Sequence, residues 1–156
     1  MKSELLSRVS QRATRAAALA WLVFQVSDPL QAGGGDWLQF RGPAGSGVSD
    51  HAESVAAAPK VAWEAALTGR GLSCPIVVGD KVFITAASGA EQANLHVLCF
   101  DAASGKRLWE RTLRATGRTM SHKKTNVAAP TPCSDGARVF ALFSSNDLAA
   151  FDLDGN

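Results

Sequence analysis

SCPIVVGDKVFITA, residues 73–86, and TPCSDGARVFAL, residues 131–142, are two copies of one pattern. With Pro75 laid on Pro132, Gly79 falls on Gly136, Lys81 on Arg138, Val82 on Val139 and Phe83 on Phe140, at a constant offset of 57 residues. Farther on, HVLCFDAASGK (His96 to Lys106) returns as LAAFDLDGN (Leu148 to Asn156). There Phe100-Asp101 meets Phe151-Asp152 at an offset of 51, so the first copy carries a longer loop around Gly89 to Asn94. A third echo sets VAWEAAL (Val61 to Leu67) on RLWERTL (Arg107 to Leu113) and Trp63 on Trp109. Self-similarity at such a period means that one supersecondary unit is used again.

The unit reads as four short strands. Pro75 to Val78 is the first, Gly79-Asp80 turns the chain, and Lys81 to Ala87 is the second. Leu95 to Phe100 is the third and Arg107 to Leu113 the fourth. Between them DAASGK makes a turn, with Asp101 able to accept from nearby backbone N–H groups and Gly105 able to take a positive φ. The runs IVV, VFI, VLCF and VFALF carry apolar residues at both parities. A sheet with one wet face would alternate, so these strands are expected to be covered on both faces. Antiparallel four-stranded sheets stacked in a ring satisfy that demand, as in a β-propeller.

The residues Pro75, Gly79, Val82, Phe83, Asp101, Ser104, Gly105, Lys106 and Trp109, echoed by Pro132, Gly136, Val139, Phe140, Asp152 and Gly155, resemble the PQQ-like repeat. That repeat builds the propellers of quinoprotein alcohol dehydrogenases and of BamB-like outer-membrane assembly lipoproteins. DWLQFRGPAGSGVS, Asp36 to Ser49, resembles the N-terminal motif of exported PQQ-like-repeat proteins of planctomycete type. The resemblance implies an all-β chain, a partial β-propeller of four-stranded antiparallel blades that is quinoprotein-dehydrogenase-like in architecture. Residues 61–156 supply about two blades, the second lacking its fourth strand, so the sequence reads as an N-terminal fragment.

Residues 1–32 read as a signal peptide: a basic stretch ending at Arg15, the apolar run Ala16 to Phe24, then small and turn-forming residues before Gly33. The run is about half of the roughly 20 residues that span a bilayer, so no transmembrane span is expected after cleavage. Residues 33–60 form a leader in which Trp37 and Phe40 are expected to pack on the propeller edge. After residue 32 the chain has twelve Lys and Arg against twelve Asp and Glu. That balance gives no electrostatic drive toward nucleic acid. Cys74, Cys99 and Cys133 have no metal-ligand spacing and lie in or beside apolar runs, so they read as small buried hydrophobes.

Catalytic motifs are absent: no G-x-S-x-G, no H-E-x-x-H and no phosphate loop. His51 and His96 have no companions in sequence and read as incidental. Trp63 and Trp109 are expected to dock one blade on the next. The stretch ATGRTMSHKKTNVAAP, Ala115 to Pro130, is an insert between blades. Its Arg118, His122, Lys123 and Lys124 form the candidate ligand-binding set, since clustered donors at a channel mouth recognise anions. The same residues also suit a solvated connecting loop.

The leading reading is an exported, periplasmic or extracellular propeller that is not an enzyme, bears no cofactor, and binds protein, peptide or polysaccharide. Outer-membrane protein assembly is one setting for it. Two alternatives stand beside it: the start of a PQQ-dependent dehydrogenase whose active site lies in further blades, and a truncated, non-functional gene fragment. Repeat identity alone does not license PQQ, because a fold does not fix its function.

Overall fold

Gly79-Asp80 reverses the chain between two apolar runs, and the first sheet grows from that turn. The computed structural model describes residues 35–49, 58 and 60–156; the expected signal peptide and His51 lie outside the described residues. β1 (Ile76–Val78) and β2 (Lys81–Ser88) pair antiparallel, with Ile76 opposite Phe83. β3 (Asn94–Asp101) and β4 (Arg107–Arg114) follow, giving the sheet order β1-β2-β3-β4. All four strands end within one residue of the bounds read from the sequence. Short connections make neighbours in sequence neighbours in space.

Between β3 and β4 the turn is built as its residues dictate. The Ser104 amide donates to Asp101 Oδ1 at 2.7 Å and Gly105 takes a φ of 70°. Those bonds, the Ser104 hydroxyl's first among them, hold the Asp101 carboxyl below the usual carboxylate range. The second copy forms β5 (Cys133–Ser134), β6 (Arg138–Leu142) and β7 (Leu148–Asp152), again in chain order.

The two sheets stack face to face. Ile76, Phe83 and Cys99 of the first sheet cluster with Val139 of the second, and Leu95 and Val97 cluster with Ala141 and Phe143. These residues are essentially removed from water, and each Val, Leu, Ile or Phe among them contributes about 1.5–3 kcal/mol from burial alone. Parity follows the repeat. Val139 faces back onto the first sheet, and Phe140, at the position of Phe83, faces away from it.

Covering on both faces holds for the first sheet and fails for the second. Ala86, Leu98 and Phe100 on the other face of the first sheet pack with Ala65 and Leu67. Among the described residues nothing covers the corresponding face of the second sheet, where Leu142 is 49% and Leu148 69% exposed. The stretch Val61 to Leu67, expected as a strand from its likeness to Arg107 to Leu113, is not one. It lies against the face of the first sheet, Ala65 and Leu67 packing on Ala86, Leu98 and Phe100, and backbone joins backbone only farther on, at Arg70, which bridges Ala87.

The leader stitches the two sheets together. Trp37 exchanges backbone bonds with Val77 at 2.8 and 3.0 Å, and the Leu38 carbonyl accepts from Ser134 N at 2.8 Å. Trp37 thus joins the propeller edge as expected, whereas Phe40 does not, being 59% exposed. The cysteines also need correction. Cys99 is buried, but Cys74 and Cys133 are exposed. Cys133 lies opposite Phe140 in register and so belongs to the uncovered face of the second sheet, although Ile76, at its repeat position, is fully buried.

Candidate functional site

One tryptophan docks each unit on the next. Trp109 Nε1 donates to the Leu153 carbonyl at 3.0 Å, and its ring lies against Gly155, where a Cβ would approach to 2.8 Å. Trp63 Nε1 donates to the Ala102 carbonyl at 2.9 Å, and a Cβ on Gly105 would come 2.5 Å from its ring. Ala102 and Leu153 occupy the same repeat position, directly after the turn aspartate. The glycines serve twice, in adopting φ of 70° and 86° and in leaving the indole room to lie flat. The expected docking role of both tryptophans is therefore met by matching geometry.

The insert between β4 and β5 is pinned at both ends. Ala115 N donates to Ala93 O at 2.9 Å, and Thr116 N donates to the Asp147 carboxylate at 3.1 Å. Bonds from Ser145 first, and then Thr116, hold the Asp147 carboxyl below the usual carboxylate range. At the other end Val127 N donates to Gln92 Oε1 at 3.0 Å and Asn126 Nδ2 to Arg70 O at 2.8 Å. Gln92 Nε2 also donates to Ser121 Oγ at 3.1 Å. Gln92 itself has a φ of 61°, so a residue in the left-handed region aims the amide that ties the loop.

Between these anchors Arg118, His122, Lys123 and Lys124 are all exposed. The structure brings His122 and Lys124 together, the Lys124 amide donating to His122 Nδ1 at 3.2 Å within a turn closed by Thr125 N on His122 O. Arg118 is turned aside, toward Met120 Sδ at 3.7 Å. All four lie in the exposed middle of the insert, and among the described residues none of them forms an ion pair with a carboxylate. No group of three or more His, Cys, Asp or Glu side chains is arranged to hold a metal among the described residues.

His96 does have companions, which corrects its reading as incidental. It is 4% exposed, in the middle of β3. Ser88 Oγ of β2 lies 2.7 Å from its Nε2, and Glu110 Oε1 of β4 lies 2.9 Å from its Nδ1. Thr112 Oγ1 stands 3.1 Å from the same Nδ1. The second oxygen of Glu110 is held by Arg107 at 2.6 Å and by Thr68 at 3.0 Å. Residues 8 and 14 apart in sequence meet because register sets Ala86 opposite His96 and Leu98 opposite Glu110, placing the three side chains on one face.

Antiparallel sheets repeated along the chain, stacked face to face and each received by a tryptophan, define a β-propeller of PQQ-like repeats. The family described as outer membrane protein assembly factor BamB matches residues 12–156, and the chain belongs to that family. Among solved structures, that of BamB from Moraxella catarrhalis is similar, with 24% identity and a TM-score of 0.43. The match covers 61% of this chain and 29% of that one, so the chain spans less than a third of that protein's length. No curated protein matches the sequence. No helix among the described residues is long and apolar enough to cross a membrane.

Proposed function

We propose that the chain is an exported propeller domain that binds protein partners and acts as a scaffold in outer-membrane protein assembly, with Arg118, His122, Lys123 and Lys124 as its contact tip. The observation that carries this reading is the construction of the insert. Its two ends are fixed by Asp147, Gln92 and Asn126, while its basic middle is left exposed. A tip held in this way loses little conformational freedom on binding, which favours affinity. Carboxylate groups on a partner are the matching chemistry, through charge-assisted hydrogen bonds. Family membership supports the setting, and the basic, apolar and small-residue order of residues 1–32 supports export.

The test is a double Arg118→Ala, Lys124→Ala variant, compared with wild type in pull-downs from periplasmic extract at two salt concentrations. Each well-placed charged bond contributes about 1.5–3 kcal/mol, so the pair should weaken capture about a hundredfold. Unchanged partners with unchanged salt sensitivity would reduce the insert to a solvated connection.

A further inference from the structure

Ser88, His96 and Glu110 form a hydrogen-bonded relay in the order a serine nucleophile requires. Bond directions follow from chemistry. A carboxylate can only accept, so in the neutral imidazole the proton sits on Nδ1, facing Glu110 Oε1 at 2.9 Å. Nε2 then carries the lone pair, and at 2.7 Å it accepts from the Ser88 hydroxyl. Arg107 and Thr68 occupy the other carboxylate oxygen, which fixes Glu110 and leaves Oε1 for the imidazole. Hydroxyl to base, and base to orienting carboxylate, is the geometric test for an activated nucleophile.

Two further features suit acyl chemistry. Ser88 is only partly buried and stands at the end of β2, so its hydroxyl is not sealed in the core. Asn94 lies directly opposite Ser88 in register, on the same face of the sheet. Its Oδ1 accepts from Arg114 at 3.0 Å, which orients the amide and turns Nδ2 toward Gly89. An oriented amide on the residue paired with Ser88 is the type of donor that stabilises a developing oxyanion.

We propose that Ser88 is a nucleophile toward short-chain acyl esters, with His96 as its base, Glu110 as the positioning residue for His96, and Asn94 Nδ2 as the oxyanion donor. Ser88 Oγ bonds to the ester carbonyl carbon while its proton passes to His96 Nε2. The carbonyl oxygen takes the negative charge beside Asn94. Collapse breaks the bond to the leaving alcohol, which receives the proton from Nε2 and departs. Water, deprotonated by the same nitrogen, then attacks the acyl-serine and releases the carboxylic acid, restoring Ser88.

The experiment treats the full chain with a fluorophosphonate and maps the adduct by peptide mass, alongside p-nitrophenyl acetate turnover and proton NMR of the imidazole. The expected result is one adduct, on Ser88. Glu110→Gln should slow its formation about a hundredfold, the readout a purely structural bond would not move, and should remove the downfield Nδ1 proton resonance that wild type shows. Asn94→Ala should lower turnover about a hundredfold with KM unchanged. No adduct on Ser88 at excess probe would overturn the proposal. So would labelling at the wild-type rate in a Glu110→Gln protein whose circular dichroism shows it folded.

Discussion

Replacing Trp109 by Ala tests whether the repeated tryptophan holds the two sheets together. Its ring centroid lies 5.8 Å from that of Phe83 in the first sheet and 6.1 Å from that of Phe151 in the second, both tilted. Arg111 places its guanidinium carbon 5.6 Å from the ring centroid, and Nε1 holds the Leu153 carbonyl at 3.0 Å. Truncating a core tryptophan to alanine costs about 3–5 kcal/mol. Trp109 is only partly buried, so the low end, about 3 kcal/mol, is expected here. Trp109→Phe keeps much of the ring contact and removes the N–H, leaving Leu153 O without its donor, for about 1–2 kcal/mol. Trp63→Ala should cost less than Trp109→Ala. Trp63 has the matching bond to Ala102 and the matching approach to Gly105, but among the described residues no aromatic ring pair is formed with it, whereas Trp109 has two. Urea unfolding followed by far-ultraviolet circular dichroism measures all three, with equal m-values as the control. A Trp109→Ala protein within about 0.5 kcal/mol of wild type, the usual range for surface changes, would refute docking by this residue. So would a Trp63→Ala protein less stable than Trp109→Ala.

Reduced protein should show two thiols that react quickly with a disulfide reagent and a third that reacts only on unfolding, since burial pushes the Cys99 thiol up to about 12 while Cys74 and Cys133 are exposed. Three fast thiols would contradict the packing of β3 against Val139. Gly105→Ala should destabilise the turn after β3 more than Gly79→Ala, because both have positive φ but only Gly105 has an indole 2.5 Å from the new Cβ; comparing urea midpoints decides it. Asp147 has a lowered pKa when folded, so its contribution is present above the unfolded carboxyl value of about 3.9 and is lost as pH falls through the folded one. Amide exchange at Thr116, corrected for intrinsic rates, should stay slow down to about pH 4 and speed up below it; Asp147→Ala should make it fast at every pH.

Much of the fold was legible because a repeat states its own register. Phe83 and Phe140 could be aligned by eye, and the structure gives them matching parity: Phe83 faces the second sheet, and Phe140 faces away from the first. Turn chemistry fixed the strand ends, as at Gly79-Asp80 and Asp101 to Gly105. What failed was inference across copies where the surroundings differ. Val61 to Leu67 shares its Trp, Glu and Leu with Arg107 to Leu113 at aligned positions, yet one lies on a sheet face and the other is β4. Pairing is a property of the neighbour's backbone, which a side-chain pattern cannot supply. Cys133 shows the same thing: its repeat position is buried in the first sheet, and burial depends on what stacks outside it.

The site was legible only where its residues are contiguous. Arg118 to Lys124 could be proposed as one basic set because a loop keeps neighbours together, and the structure adds how the ends of that insert are anchored. Ser88, His96 and Glu110 are scattered over 23 positions and on three strands, and no spacing rule links them. A signal was present all the same. His96 interrupts the otherwise apolar run LHVLCF, and a titratable ring there must find partners for both nitrogens or lose the free energy of their hydration. Once β2, β3 and β4 are taken as antiparallel neighbours, the parity of His96 admits only alternate residues of each flanking strand. Serine, threonine and glutamate occupy the admitted positions near it: Ser88 on one side, Thr112 and Glu110 on the other. A buried polar residue in an apolar strand thus names its partners through register, and here register assembles a serine, a histidine and a carboxylate in hydrogen-bonded order.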